Sequence, residues 1–178
     1  MNLVSLRQLA LILLILSPAA TRAQKVSFAQ ERFSVEIPAN WKQGRGPADG
    51  AILYCEAPDG DGSFSIYQLK VAKDHRANLE ATLSARIEAI RKAGLKVSAE
   101  VKAQKQNNFD GKPAIFGVVP VEVRHQEQVV KFTYYLVLVD AKDSVIIMQA
   151  ALPRPLTPKL QQGALGIIQS FREKEKGS

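Results

Sequence analysis

Two segments in the second half of the chain are apolar at nearly every position, and they constrain the fold more than any other feature. They are Tyr134 to Val139, YYLVLV, and Val145 to Leu152, VIIMQAAL. Both are rich in the β-branched and aromatic residues that favour strands. Because a strand with one exposed face alternates apolar and polar side chains, the continuous apolar pattern indicates a sheet that is covered on both faces.

Five further segments are predicted to be strands, and three of them precede any helix. In the first, Phe33, Val35 and Ile37 alternate with polar neighbours, and Pro38 ends the pattern. The turn residues PDGDG join the next two strands as a hairpin. The full set of predicted strands is 33–37, 50–57, 62–71, 96–104, 114–123, 129–139 and 144–152.

The later strands are predicted to be joined by three turns. The segment NNFDGKPA, which contains Gly111, separates the fourth strand from the fifth. The segments RHQEQ, around His125, and DAKD, at residues 140–143, are predicted hairpin tips.

Two segments have the spacing of amphipathic helices. Within residues 78–95 apolar side chains recur every three or four positions, and Gly94 is predicted to end this helix in a left-handed cap. Near the C-terminus, Thr157 is placed to cap a second helix and Pro158 to occupy its first position. The apolar stripes are Leu79, Leu83, Ile87 and Ile90 in the first helix, and Leu160, Ala164, Ile167, Ile168 and Phe171 in the second.

The predicted elements follow the order βββαββββα. Because both faces of the central strands must be covered, one helix is expected on each face of a mainly antiparallel sheet. The sequence therefore predicts an α+β fold, a three-layer α/β/α sandwich with about seven strands. This domain is expected to span residues 24–172, and residues 173–178 are expected to fray because no apolar residue follows Phe171.

The first 23 residues have the pattern of a signal peptide. Arg7 precedes an apolar run from Leu9 to Leu16, which is too short to span a membrane. Thr21 and Ala23 are small residues at the two positions that signal peptidase reads, so the mature chain is expected to begin at Gln24. An uncleaved membrane anchor is the alternative. The expected location is periplasmic or secreted.

The positive charge of the chain is dispersed rather than concentrated. The net charge is +7, and loss of the leader leaves 22 basic against 17 acidic residues. In KAGLKVSAEVKAQK the lysines are spaced along the segment with one glutamate and no aromatic residue. Proteins that read nucleic acids have a concentrated basic face or aromatic stacking platforms, so we expect a solvated strand surface and no nucleic-acid partner.

Few residues have the chemistry of a catalytic or metal site. His75 and His125 are the only histidines, and neither has a second ligand at metal-binding spacing. Cys55 is the only cysteine and lies in the apolar segment AILYCEA, so it is expected to pack in the core rather than to react. The motifs of serine hydrolases and phosphate-binding loops are missing from the sequence. We therefore expect no enzyme activity, no cofactor and no metal.

The segment DGDGS, Asp59 to Ser63, is similar to the start of a calcium-binding loop. Such a loop requires glutamate at its twelfth position, which is Lys70 here, and a helix should follow it. Because a strand pattern follows instead, Asp59 and Asp61 are predicted to lie in a hairpin turn.

Three short motifs resemble the PsbP-like and DcrB-like families of exported proteins. They are FSVEIPANW after the leader, the turn FDGKPA before a long pair of strands, and the ending IIQSF of the last helix. The superfamily also includes the yeast nuclear transport factor that binds the GTPase Ran. The resemblance extends from about Phe28 to Phe171.

The resemblance implies an antiparallel sheet between helices and a protein without catalytic activity. It also implies structural roles, in which Pro38 ends the first strand and Trp41 covers an edge of the core. With these two we group the turn residues Gly94 and Gly111 and the last apolar residue, Phe171, as structural positions. The leader lacks the lipid-carrying cysteine of DcrB-like proteins, and no residues match the metal ligands associated with PsbP.

Two functions of different class agree with these features. The first is an exported accessory module that binds another envelope or secreted protein through loops and an open sheet edge. The alternative is a carrier of a small ligand or metal ion, or a hydrolase, with a pocket between sheet and helix. An exposed apolar patch or an unprotected edge strand favours the first function, and a deep pocket lined by convergent polar groups favours the second.

Overall fold

The computed structural model of this protein describes residues 23–46, 50–60, 62–72, 77–97, 100–125 and 128–174. These residues form two helices and a set of strands in chain order. The elements are β1 Gln24–Phe28, β2 Phe33–Ile37, β3 Lys42–Gln43, β4 Leu53–Glu56, β5 Ser63–Lys70, α1 Leu79–Lys92, β6 Lys96–Val97, β7 Lys102–Phe109, β8 Lys112–His125, β9 Gln128–Asp140, β10 Ser144–Pro153, α2 Pro158–Gln169 and β11 Arg172–Glu173.

The strands are arranged in two antiparallel sheets. The larger sheet has eight strands in the order β3-β4-β5-β10-β9-β8-β6, and β7 also pairs with β8. The smaller sheet has the order β1-β2-β11. Strands β8 and β9 form a long hairpin in which Ala114 lies opposite Val139 at one end and His125 lies opposite Gln128 at the other. The predicted α+β class with a mainly antiparallel sheet is therefore confirmed.

Alternate residues of the central strands face two separate apolar clusters. Leu136, Leu138 and Ile147 belong to the cluster that contains Leu83, Ile87 and Ile90 of α1. Their sequence neighbours belong to the other cluster, together with α2 and the small sheet. The two helices thus lie on opposite faces of the large sheet, which explains why YYLVLV and VIIMQAAL are apolar throughout. Residues of the second cluster in these strands are Val137, Val139, Ile146, Met148, Ala150 and Leu152.

The predicted single sheet of about seven strands is wrong in its number and order of strands. Strands β1, β3 and β11 were not predicted, and the predicted strand 96–104 is two strands, β6 and β7. Three of these elements have only two residues each, too few for an alternating pattern to show. The three-layer sandwich stays a prediction in that form, because the layer that contains α2 also contains the small sheet.

Both helices begin where the sequence predicts, and α1 also ends there. The Asn78 side chain accepts a hydrogen bond from the N–H of Ala81, and the Thr157 side chain accepts one from that of Leu160. Gly94 has a φ of +83°, and the N–H of the next residue donates to the Ile90 carbonyl. This is the left-handed ending expected for α1. The predicted stripe of α2 needs one correction, because Phe171 follows the end of that helix.

The predicted turn NNFDGKPA is shorter than expected, because β7 continues to Phe109 and β8 begins at Lys112. Asp110 and Gly111, both at positive φ, form the whole connection. The Asn108 side chain supports it by accepting a hydrogen bond from the N–H of Gly111 at 3.0 Å. Because glycine adopts positive φ without steric strain, Gly111 fits the structural position predicted for it.

The C-terminal segment is ordered beyond the predicted boundary at residue 172. Glu173 lies opposite Phe33 in β11, and the N–H of Lys174 donates to the carbonyl of Arg32 at 2.7 Å. The prediction that fraying starts at residue 173 is therefore wrong for these two residues. Residues 175–178 lie outside the described part of the chain. The prediction considered only apolar residues, whereas charged side chains hold this segment in place.

Of the predicted leader, residues 1–23, the first 22 residues lie outside the described part of the chain. Among the residues described, neither helix has the length and apolar character needed to cross a membrane.

Candidate functional site

Two exposed apolar side chains lie at the outer part of the large sheet, one in β5 and one just before β4. Ile52 is 44 % exposed and Leu69 is 46 % exposed. The N–H of Ile52, the residue before β4, donates to the Ile66 carbonyl at 2.8 Å, so the backbone of Ile52 lies against β5 at the residue that precedes Tyr67. Leu69 is two residues further along β5, on the same face as Tyr67. We call Ile52, Tyr67, Leu69 and Arg86 the β5 patch.

Arg86 of α1 covers the centre of the β5 patch. Its guanidinium carbon lies 4.0 Å from the centroid of the Tyr67 ring. The same group donates two hydrogen bonds to Oε1 of Gln149, at 2.8 and 3.0 Å. A cation over an aromatic ring is attracted by the negative face of the ring. The guanidinium is therefore held in one orientation above a flat aromatic surface.

A second tyrosine lies close to this arginine. Burial raises the pKa of Tyr134, and the nearby positive charge of Arg86 opposes that change. The phenol therefore stays neutral at physiological pH. Tyrosine and arginine, flanked by apolar side chains, are the residue types that contribute most energy at protein interfaces.

The edge of the sheet next to the β5 patch is open. Strand β4 pairs only with residues 63–66 of β5. Among the described residues, no strand pairs with the outer edge of residues 67–70. This arrangement offers exposed apolar side chains near a fixed cation, with the Tyr67 ring buried beneath that cation, and the patch contains no nucleophile with a neighbouring base.

A cluster of charged side chains lies elsewhere and holds the C-terminal strand; we call Arg32, Asp110, Lys112, Asp143 and Glu173 the β11 clamp. Arg32 donates from Nε to Glu173 at 2.7 Å and from one NH group to both oxygens of Asp143 at 2.6 and 2.7 Å. Lys112 Nζ lies 2.8 Å from the other Glu173 oxygen. Asp110 accepts a hydrogen bond from the N–H of Glu173 at 2.8 Å. The five residues therefore form one connected network, which indicates a structural role.

Acidification is expected to weaken the β11 clamp. Hydrogen bonds from Arg32 lower the pKa of Asp143, and burial of Glu173 is outweighed by Lys112 and Arg32, so the pKa of Glu173 is lowered too. The pKa of both carboxyl groups is lower in the folded state than in the unfolded state. They therefore stabilise the fold fully at pH values above their unfolded-state pKa of about 4. This stabilisation is lost as the pH falls through the folded pKa values. Asp143 is largely exposed, so Glu173 should contribute most of the effect.

Urea unfolding between pH 7 and pH 3 measures this effect. The free energy of unfolding should fall below about pH 5, and Glu173→Gln should make this fall shallower. Glu88→Gln, on the surface of α1, is the control for loss of one exposed carboxylate. If the free energy of unfolding falls equally steeply with pH in the parent and in Glu173→Gln, the assigned role of the clamp is contradicted.

The residues considered for chemistry do not form a site in the described structure. Asp59 lies in the β4–β5 turn, and the antiparallel pairing of these strands confirms the predicted hairpin. His75 and Asp61 lie outside the described residues. His125 ends β8, and the structure describes its backbone only. Lys70 ends β5, so a strand follows the DGDGS segment, as predicted.

Cys55 is fully buried in β4, opposite Phe64 of β5. Burial raises the pKa of its thiol to about 11. Because the thiolate is the reactive form, this cysteine is inert at physiological pH. The predicted role in packing agrees with this environment.

Trp41 and Pro38 lie together at the end of β2. The N–H of Trp41 donates to the Pro38 carbonyl at 2.9 Å, which closes the turn. The indole is only 6 % exposed and packs on α2 at Gly163. A Cβ added at Gly163 would lie 3.2 Å from the indole Nε1, a tight contact that the indole could accept only by shifting by a few tenths of an ångström.

Several surface cavities lie among the described residues. One, about 450 Å³, lies between the start of α1 and Lys105 of β7. A second, about 210 Å³, lies beside the small sheet and is lined by polar and charged residues of β1, β2 and β11 and their flanks. Another, about 80 Å³, lies between Trp41 and the start of α2. Within the ranges described, no group of three or more His, Cys, Asp or Glu side chains is placed to hold a metal ion.

The sequence analysis did not identify the β5 patch. One local signal was present: Phe64 and Ile66 alternate with polar neighbours, and Tyr67 and Leu69 then place apolar side chains on the opposite face. The role of Arg86 gave no such signal, because its spacing places it with the polar residues of α1.

No protein-family model matches this chain, and no curated protein matches it. Solved structures do. The solution structure of the cyanobacterial PsbP protein CyanoP, from Synechocystis sp. PCC 6803, has a TM-score of 0.65 at 12 % identity, covering 89 % of this chain and 96 % of that one. The Ran-binding protein Mog1p from Saccharomyces cerevisiae has a TM-score of 0.56 at 13 % identity, covering 86 % and 96 %.

A third similar structure is LpqN from Mycobacterium tuberculosis, a protein involved in cell envelope biogenesis. Its TM-score is 0.55 at 12 % identity, and the alignment covers 84 % of this chain and 89 % of LpqN. At these identities the likeness concerns the fold alone. The chain therefore shares its fold with these proteins, as the resemblance seen in the sequence implies.

Proposed function

We propose that this chain is an exported, non-catalytic binding module that acts on another envelope or secreted protein. The observation that carries the proposal is the β5 patch, where Ile52 and Leu69 are exposed beside an arginine held over a tyrosine ring. Apolar side chains that flank a fixed Arg–Tyr pair match the anchors of protein interfaces. Their position at an open strand edge makes them accessible to a partner.

Two further features support this function. Proteins of the same fold include one that binds Ran and one involved in cell envelope biogenesis. The leader at residues 1–23 has the composition of a signal peptide, so we place the partner in the envelope or outside the cell. Because fold alone does not establish function, the β5 patch is the part of the proposal to test directly.

Capture from native envelopes tests the patch. The chain from residue 24 onward is immobilised, and the proteins that it retains are quantified by mass spectrometry. The double variant Ile52→Glu and Leu69→Glu should lower the recovery of the specific partner by about tenfold or more, because charges in an apolar contact remove its central anchors. Substitutions at these exposed positions should change the free energy of unfolding by about 0.5 kcal/mol or less.

A matched control is available at the far end of the β8–β9 hairpin. Val129 and Val130 are 47 % and 38 % exposed, so Val129→Glu with Val130→Glu makes the same change at similar exposure. This variant should retain the partner. Unchanged recovery with the patch variant, or equal loss with both variants, would show that the β5 patch is not the docking surface.

A further inference from the structure

Strand β7 is an edge strand of the large sheet with an unusually open environment. It pairs with β8 on one side, and among the described residues no strand pairs with its other side. Residues 102–106 are all exposed, although their side chains alternate between the two faces. An edge of this length presents a row of unpaired N–H and C=O groups to which a further strand can bind.

A groove runs beside this edge on the face that α1 covers. It has a volume of about 450 Å³ and is lined by Ala77, Asn78, Leu79, Glu80 and Lys105. Ala77 and Leu79 are partly buried and pack against the α1 cluster, so they give the groove an apolar floor. Lys105 Nζ lies 2.9 Å from a Glu80 oxygen, which closes one side.

The register of β7 shows which side chains lie on each face. Lys105 lies opposite Ile115, which belongs to the α1 cluster, and this agrees with its contact to Glu80. Lys102 lies opposite Val118, on the other face of the sheet, as does Gln104 opposite Phe116. A strand added to β7 would therefore direct alternate side chains into the groove and toward Lys102.

The charges on β7 select the kind of strand that fits. The strand contains Lys102 and Lys105 and no acidic residue. Pairing with β7 of a second copy would bring four lysines into one contact without a carboxylate, and lysines on edge strands disfavour such self-association. An acidic segment, in contrast, would be attracted by the same lysines.

We propose that β7 binds an extended segment of the partner protein as an additional strand, with apolar side chains in the α1 groove and acidic side chains on the opposite face beside Lys102. This inference rests on the proposed function in so far as the ligand is a protein. It concerns a different surface from the β5 patch. Main-chain hydrogen bonds would supply affinity, and the groove and Lys102 would supply selectivity.

A synthetic peptide serves as the probe. It has ten residues that alternate glutamate with valine or isoleucine, and it carries a fluorescent label for anisotropy measurements. The parent protein should bind it with a Kd tighter than about 1 mM. Three comparison peptides are used. One has lysine in place of each glutamate, and the other two have N-methyl groups on alternate residues, so that each blocks one of the two edges. The lysine peptide and one of the two methylated peptides should bind at least about tenfold more weakly.

Variants locate the binding site. Lys102→Glu should weaken binding of the acidic peptide by about tenfold and improve binding of the lysine peptide. Lys42→Glu is the matched control, because β3 lies at the opposite edge of the sheet, and it should change neither. Bound peptide should also slow amide exchange in residues 102–109.

The outcomes separate this inference from the proposed function. No binding of the acidic peptide below about 1 mM, or equal binding by the parent and Lys102→Glu, would overturn the β7 site and identify it as a protected edge. The capture experiment with the β5 patch would be unaffected by that result. Conversely, if the peptide binds and slows amide exchange in β7, the β7 site is supported even if the patch variant retains every captured protein.

Discussion

Replacing Phe171 with alanine is expected to lower the free energy of unfolding by about 3 to 5 kcal/mol. The side chain is fully buried between α2 and β11. Its ring centroid lies 5.6 Å from that of Phe33, 5.9 Å from that of Phe109 and 6.4 Å from that of Phe28. Truncation removes both the buried area and the contacts between these rings, and it leaves a cavity at the junction of the two sheets.

Phe109→Ala is the control for Phe171→Ala. Phe109 belongs to the same group of rings, but it is only partly buried, so its truncation should have a smaller effect. Urea unfolding followed by circular dichroism compares the two variants. If Phe171→Ala is no more destabilised than Phe109→Ala, Phe171 is not the centre of the aromatic group.

Replacing Trp41 with alanine is also expected to destabilise the fold by about 3 to 5 kcal/mol. The indole is buried in the cluster shared by α2 and the large sheet, and it lies against the helix at Gly163. Its removal leaves an apolar cavity over the helix that no neighbouring side chain fills. Because Trp41 is the only tryptophan, circular dichroism rather than fluorescence should be used to follow unfolding.

A double-mutant cycle with Gly163 tests whether this contact is responsible. Alanine has a higher helix propensity than glycine, so Gly163→Ala alone would be expected to stabilise the fold by about 1 kcal/mol. In the parent the close contact of the new Cβ with the indole, at 3.2 Å, should offset this stabilisation. In the Trp41→Ala background the same change should be stabilising, since the space is then free. Additive effects would contradict the proposed packing. Unchanged stability of Trp41→Ala, with loss of partner binding, would instead make Trp41 a recognition residue.

The long elements of this protein could be predicted from sequence because their signals are local. The continuous apolar pattern of YYLVLV and VIIMQAAL follows from a sheet covered on both faces. Both ends of α1 and the start of α2 follow from Asn78, Gly94 and Thr157, whose side chain or backbone acts within one turn of the helix. Each of these patterns involves only residues that are close together in the sequence.

The short strands and the surfaces depended on tertiary structure. Strand β11 exists because Arg32 and Lys112, which are distant in sequence, bind Glu173, and the composition of the tail gives no sign of this. The β5 patch likewise requires pairing that brings Ile52 against β5 at Ile66, and a helix that brings Arg86 over the Tyr67 ring. The sequence determined which segments form helices and core strands, because periodicity records burial. Only the tertiary structure decided which polar and apolar side chains meet at the surface, because those contacts join residues that no local pattern connects.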